Sequence, residues 1–155
     1  MFLTRGASWI KIPKQQLNIM NGKTVFIGLG VVALAVSASA KDVDASKLPP
    51  ASTNKDVTFA KDIKPIFEKS CVKCHGAEKP KAKLRLDTLE GALKGSADNK
   101  VIEPGNSAKS ILVHNVAQLG EEDYWMPPPD NKDKIPALTK EQIGLIRAWI
   151  DQGAK

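Results

Sequence analysis

The sequence predicts an all-α domain, and three observations carry that prediction. Within residues 58–155 apolar side chains recur at helical spacing, Ser, Thr and Asp caps stand ahead of those runs, and no stretch alternates apolar with polar residues as a half-buried strand does. Length and composition agree. A chain of 155 residues with 42% hydrophobic and 26% charged content suits one small folded unit. It excludes a multidomain enzyme, a polytopic membrane protein and a wholly disordered chain.

Residues 1–40 read as a targeting leader. Lys23 precedes twelve uncharged residues, Val25 to Val36, and Ser37-Ala38-Ser39-Ala40 follows. A basic start, an apolar stretch of about 7–15 residues and a small-x-small site are the parts of a secretory signal, with cleavage expected after Ala40. Met20 offers a second start besides Met1. A spanning anchor needs about 20 apolar residues, so the leader becomes a membrane tether only if it stays uncleaved. The expected location is periplasmic or otherwise exported. Residues 41–57 are polar, carry Pro49-Pro50 and show no apolar period, so a flexible linker is expected there. The domain then runs over 58–155.

Inside the domain, Phe59, Ile63, Ile66 and Phe67 form one helical stripe behind a Thr58 cap, and Pro65 moves the start of regular helix toward Ile63. Asp87-Thr88-Leu89-Glu90 has capping-box spacing, and Gly95 closes a short helix. Pro104-Gly105 predicts a turn, after which Ser107 opens a helix with Ile111, Leu112 and Val116 on its apolar side. The last helix has Thr139 and Gln142 as a capping box, with Ile143, Ile146 and Ile150 on one face, Leu145 and Trp149 beside them, and Gly153 at the end.

The formal charge of +6 does not point to nucleic acid. Four of the 23 basic residues lie in the first 40 residues, where no acid occurs, which leaves 19 against 17 acids from Lys41 onward. Those remaining charges are interleaved in sign, whereas nucleic-acid binding wants a clustered basic face.

Cys71-Val72-Lys73-Cys74-His75 contains the two cysteines of the chain, three apart, with a histidine directly after. This spacing reads as c-type haem attachment. Two thiols one helical turn apart can each add to a haem vinyl group, and the adjoining imidazole is then held over the iron as proximal ligand. Three other readings stand beside it. A thioredoxin-like CxxC needs a βαβ setting, which is absent. A structural zinc site needs four ligands, of which His114 could supply only the last. A disulfide across so short a loop stabilises little.

At these residues the sequence resembles single-haem class I cytochromes c and, among them, the planctomycete-type cytochrome c domain. The resemblance rests on Phe59-Ala60-Lys61-Asp62-Ile63-Lys64-Pro65-Ile66-Phe67 leading into Cys71-Val72-Lys73-Cys74-His75-Gly76, then Leu84-Arg85-Leu86-Asp87 and Glu90-Gly91-Ala92-Leu93-Lys94-Gly95. It continues through Pro104-Gly105-Asn106-Ser107 and Met126-Pro127-Pro128-Pro129 to Leu145-Ile146-Arg147-Ala148-Trp149-Ile150-Asp151-Gln152-Gly153-Ala154. It covers Val57 to Ala154. It implies a class I cytochrome c-like helical domain wrapped around one covalent haem c, and it places the distal iron ligand at Met126.

The residues themselves favour Met126 as well. Met1 and Met20 lie in the leader, and the three prolines after Met126 stiffen the chain that would present its thioether. A core gap-filler is the ordinary alternative for a methionine. His114 competes as an imidazole ligand, although a lone helical histidine is more often a packing or surface residue. Arg85 could pair with a haem propionate or stay solvated. Trp125, Trp149, Phe67 and Ile146 would serve equally in a haem pocket or a helix–helix core.

The expectation is an exported monohaem cytochrome that passes single electrons between redox partner proteins and is not an enzyme by itself. A haem sensor or small-ligand binder with an open or displaceable sixth position is the rival, distinguished by fast carbon monoxide binding. A peroxidase activity ranks last, because two-haem peroxidases carry two such motifs.

Overall fold

The computed structural model describes residues 43–155, which belong to one compact unit. The expected leader and its expected cleavage site lie outside the described residues. Five α-helices follow in order: α1 Lys64–Ser70, α2 Val72–His75, α3 Leu89–Lys94, α4 Ile111–Val116 and α5 Lys140–Asp151. A π-helical turn at Phe59–Ile63 precedes α1, and 3-10 turns occupy Ala45–Lys47, Lys81–Lys83, Ser107–Lys109 and Glu122–Tyr124. Among the described residues there is no strand, so the all-α expectation holds there. None of the described helices is long and apolar enough to cross a membrane.

The N-terminal stripe forms as the spacing predicts. The Thr58 side chain accepts from the Lys61 N–H, and the Asp62 carboxylate accepts from the Thr58 N–H at 2.9 Å. Pro65 falls in the first turn of α1, where no helical N–H is needed. The π turn ahead of it keeps Phe59, Ile63, Ile66 and Phe67 on one buried face. Helix α5 starts from the expected capping box, with Gln142 N donating to Thr139 Oγ1 and Thr139 N donating back to Gln142 Oε1. Its inner face, Ile143, Ile146, Trp149 and Ile150, is buried. Each such side chain contributes roughly 1.5–3 kcal/mol of transfer free energy. Phe59, Phe67 and Trp149 meet edge-on or tilted, with ring centroids 5.7–6.3 Å apart. The Trp149 indole N–H and the Phe59 N–H both donate to the Lys155 main-chain oxygen at 2.9 Å.

The segment expected as a flexible linker over 41–57 is instead a docked strap over its described part. Leu48 and Val57 are buried in the core, and the strap runs alongside α5 in the same direction. Ser52 N donates to Gly144 O at 2.9 Å, Arg147 donates to Pro49 O, Gln152 Nε2 donates to Asn54 O, and Val57 N donates to Gln152 Oε1. Gly144 permits this approach, because a Cβ there would stand 2.7 Å from Pro50 O. The strap shows no apolar period because main-chain hydrogen bonds and two isolated side chains hold it, and a period reports only a continuous buried face.

Two smaller expectations change in the same way. The cap of α3 is Thr88, whose hydroxyl accepts from Gly91 N at 3.1 Å, while Asp87 turns to Arg85. Ser107 opens a 3-10 turn ahead of α4, and its buried hydroxyl lies in a polar knot. It donates to Asp151 Oδ2 at 3.0 Å and accepts from Arg147 Nε at 3.0 Å, tying that turn to α5.

Candidate functional site

The cysteine–histidine motif sits at a break in helix. α1 ends at Cys71, whose φ of −128° departs from helical geometry, and α2 restarts at Val72 for a single turn. His75 N donates to Cys71 O at 2.9 Å, which closes that turn and places the cysteines on neighbouring rungs. Gly76 follows, where a Cβ would stand 2.6 Å from Val72 O, so the chain leaves α2 in a path that a side chain would obstruct. Both thiols are free. Cys71 is buried, and burial, reinforced by Cys74, pushes its thiol up to about 12. A thiol so high is almost wholly protonated at neutral pH, unlike the thiolates of redox CxxC motifs.

His75 is partly buried, and the desolvation lowers its pKa, which favours a neutral ring. Its Nδ1 lies 3.3 Å from Leu84 O. A carbonyl oxygen only accepts, so Nδ1 carries the hydrogen and Nε2 keeps a lone pair. Leu86 N donates to His75 O at 2.8 Å, so residues 84–86 grip both the ring and the main chain of this histidine. The path between is strained: Lys79, Ala82 and Lys83 all have φ near +50°.

Met126 is partly buried and packs against the core, and its N–H donates to Asn115 O at 3.0 Å, next to the end of α4. The Met126–Pro127 peptide is cis. The residues after it form a knot around Asn131. That side chain donates to Pro128 O at 2.8 Å and Ile135 O at 3.0 Å and accepts from Ile135 N at 2.7 Å. The loop then meets the cysteine motif, because Lys73 Nζ stands 2.5 Å from Asp133 Oδ1. This pair ties the segment that follows Met126 to the cysteine motif at residue 133.

The other candidates separate. Arg85 directs Nε and Nη2 onto the Asp87 carboxylate at 3.0 and 2.6 Å, so the fork offered to a propionate is engaged within the chain. His114 has its Nε2 2.7 Å from Ala108 O, the position of a packing histidine. Phe67, Trp149 and Ile146 are fully buried in the core around α5. Among the described residues no group of three or more His, Cys, Asp or Glu is placed to hold a metal ion by itself, which leaves the zinc alternative without its ligand set.

These residues fit a covalently attached haem. Two free thiols stand one turn apart, and the neighbouring imidazole is neutral with its free lone pair on Nε2, the arrangement that a metal-ligating histidine adopts. Beside Met126, the Trp125 indole N–H is buried without an acceptor from the chain. Such a donor calls for a polar partner that the protein does not itself provide. Sequence reasoning missed Leu84, Asn131, Lys73 and Asp133. Leu84 acts through a main-chain oxygen and leaves no signal in its side chain, whereas Lys73 was visible as a charged residue inside the motif.

The family model described as planctomycete cytochrome C matches residues 71–130, from the first cysteine to just past the three prolines. No curated protein and no solved structure matches the chain.

Proposed function

We propose, from the match of residues 71–130 to the planctomycete cytochrome C family, that this protein is an exported single-haem cytochrome carrying one electron at a time between redox partners outside the cytoplasm. A cytochrome c domain implies covalently bound haem c and fits haem-based electron transfer. The finer reading is carried by one observation: His75 is set as a neutral ligand by Leu84 O, directly after two free thiols. In this reading Cys71 and Cys74 hold the haem as thioethers, His75 is the proximal ligand and Met126 the distal one. Two cysteines provide for one attachment, hence one haem.

When bound, the haem supplies a one-electron iron couple, and the chain sets its environment. Leu84 O fixes the imidazole orientation and strengthens its donor nitrogen. The Met126 thioether, as a ligand, would favour the reduced iron and so raise the potential. Exposed Tyr124, 63% accessible and two residues from Met126, marks the side on which a redox partner comes nearest the distal ligand.

The sensor reading keeps one observation in its favour. Met126 lies in a stretch without α-helix between α4 and α5, which could yield the sixth position to a small ligand. The test is haem stoichiometry and redox behaviour of the matured protein. The electron-carrier reading expects one covalent haem per chain, a reversible one-electron titration and slow carbon monoxide binding to the reduced form. Fast carbon monoxide binding would turn the assignment to the sensor.

A further inference from the structure

We propose that the Lys73–Asp133 ion pair is a salt-sensitive latch that holds the methionine-bearing loop against the haem-attachment turn and so sets how often the sixth iron position opens. The proposal rests on the ligand reading above.

Four ion pairs form among the described residues, and three of them join residues no more than four apart: Asp44–Lys47, Lys64–Glu68 and Arg85–Asp87. Lys73–Asp133 alone joins distant parts of the chain. One end lies between the two cysteines of the motif; the other lies in the loop that begins at Met126.

Asp133 is not a free loop charge. Asn131 bonds to Pro128 and Ile135, and Lys134 N donates to Asn131 O at 3.1 Å, so residues 128–135 are braced as one piece around Asp133. A pull on the Asp133 carboxylate is therefore transmitted to Pro128 and on to Met126. At its other end the segment is tethered by the Met126 N–H to Asn115 O. The methionine thus stands between a main-chain hydrogen bond to the α4 end and an ion pair to the motif.

The side chains of the pair are 63% and 36% exposed. Such a pair is worth little and is weakened by salt, so it suits a latch that opens rather than a lock. Removing it should change the opening equilibrium by about two- to fivefold. Lys73 and Asp133 are positioning residues: neither touches the iron ligand, and both act through the loop that carries it.

The test uses the ferric holoprotein and imidazole as probe, near pH 8, where imidazole is neutral and feels no charge steering. At low salt D133N and K73Q should each bind imidazole about two- to fivefold faster than wild type. At about 1 M salt, where the screening length falls to ~3 Å, the difference should vanish. The reversed pair K73D/D133K should return to the slow rate. Amide hydrogen exchange at Asn131, Lys134 and Ile135 should accelerate by the same factor in D133N, with α5 unchanged. Equal imidazole rates at low salt, a persistent difference at high salt, or faster exchange without faster binding would each overturn the latch. If wild type lacks a sulfur-to-iron absorption band, Met126 ligation fails separately, and the imidazole rates then judge the latch as a gate over an open iron.

Discussion

The protein presents two regions built on opposite terms. Around α5 every long apolar side chain of the inner face is buried, three aromatic rings interlock, and the strap over residues 48–57 is bonded along the helix. Between α4 and α5 the chain forms only a 3-10 turn, leaves Tyr124 exposed, and holds Met126 by one main-chain hydrogen bond, a local knot and an ion pair. The first region is held by continuous apolar packing and by hydrogen bonds along α5. The second holds Met126, the proposed distal ligand, by a few local tethers, as expected of a segment that opens more readily than the core.

Substitutions sort along that contrast. Trp149→Ala should destabilise the fold most, by about 3–5 kcal/mol, because it removes a fully buried ring from the aromatic cluster together with the bond to Lys155 O. Denaturant melts of the holoprotein check this, and a loss below about 1 kcal/mol would show that the α5 region is not the stabilising half. Gly144→Ala should cost roughly 1–3 kcal/mol, since its Cβ would press on Pro50 O and lift the strap from α5. Faster amide exchange at Ser52 and Val57 would accompany the loss if the strap is what moves. Thr139→Ala should cost about 1 kcal/mol through its half of the capping box.

The smallest effect is expected from Asp87→Asn. The Arg85 guanidinium holds the Asp87 carboxyl below its ordinary value. A carboxylate with a depressed folded pKa stabilises above its unfolded pKa, about 3.9, and that contribution is lost as pH falls through the folded value. The gap in melting temperature between wild type and D87N should therefore be small at neutral pH and close as the medium becomes strongly acid. A gap that widened on acidification would reverse the assignment.

The same contrast explains what the sequence disclosed. The α5 region was legible because a continuous buried face leaves a period: Phe59, Ile63, Ile66 and Phe67, then Ile143, Ile146 and Ile150, with the Thr139–Gln142 box ahead. The strap was misread as a linker because its anchors are main-chain bonds plus Leu48 and Val57. Its enabling residue, Gly144, reads only as a small residue inside a helix. At the candidate site, Cys71, Cys74 and His75 were legible as a spacing, and Met126 as the one methionine after residue 40. The partner that fixes the His75 tautomer was not, since any residue offers a carbonyl. The Arg85–Asp87 pair was not anticipated, although the partner stands two residues away and forms a bidentate bond that an external carboxylate would have to displace. The tie from Lys73 to Asp133 is tertiary, and neither residue announces the other.

The central claim is that His75 and Met126 are the two axial ligands. The most direct measurement is the absorption spectrum of the ferric protein, matured in a host that attaches haem c, recorded beside Met126→Ala. The account predicts a weak long-wavelength sulfur-to-iron band in wild type that disappears in the variant, while the melting temperature shifts far less than in Trp149→Ala. A high-spin ferric spectrum unchanged by the substitution would contradict it and leave the sixth position open.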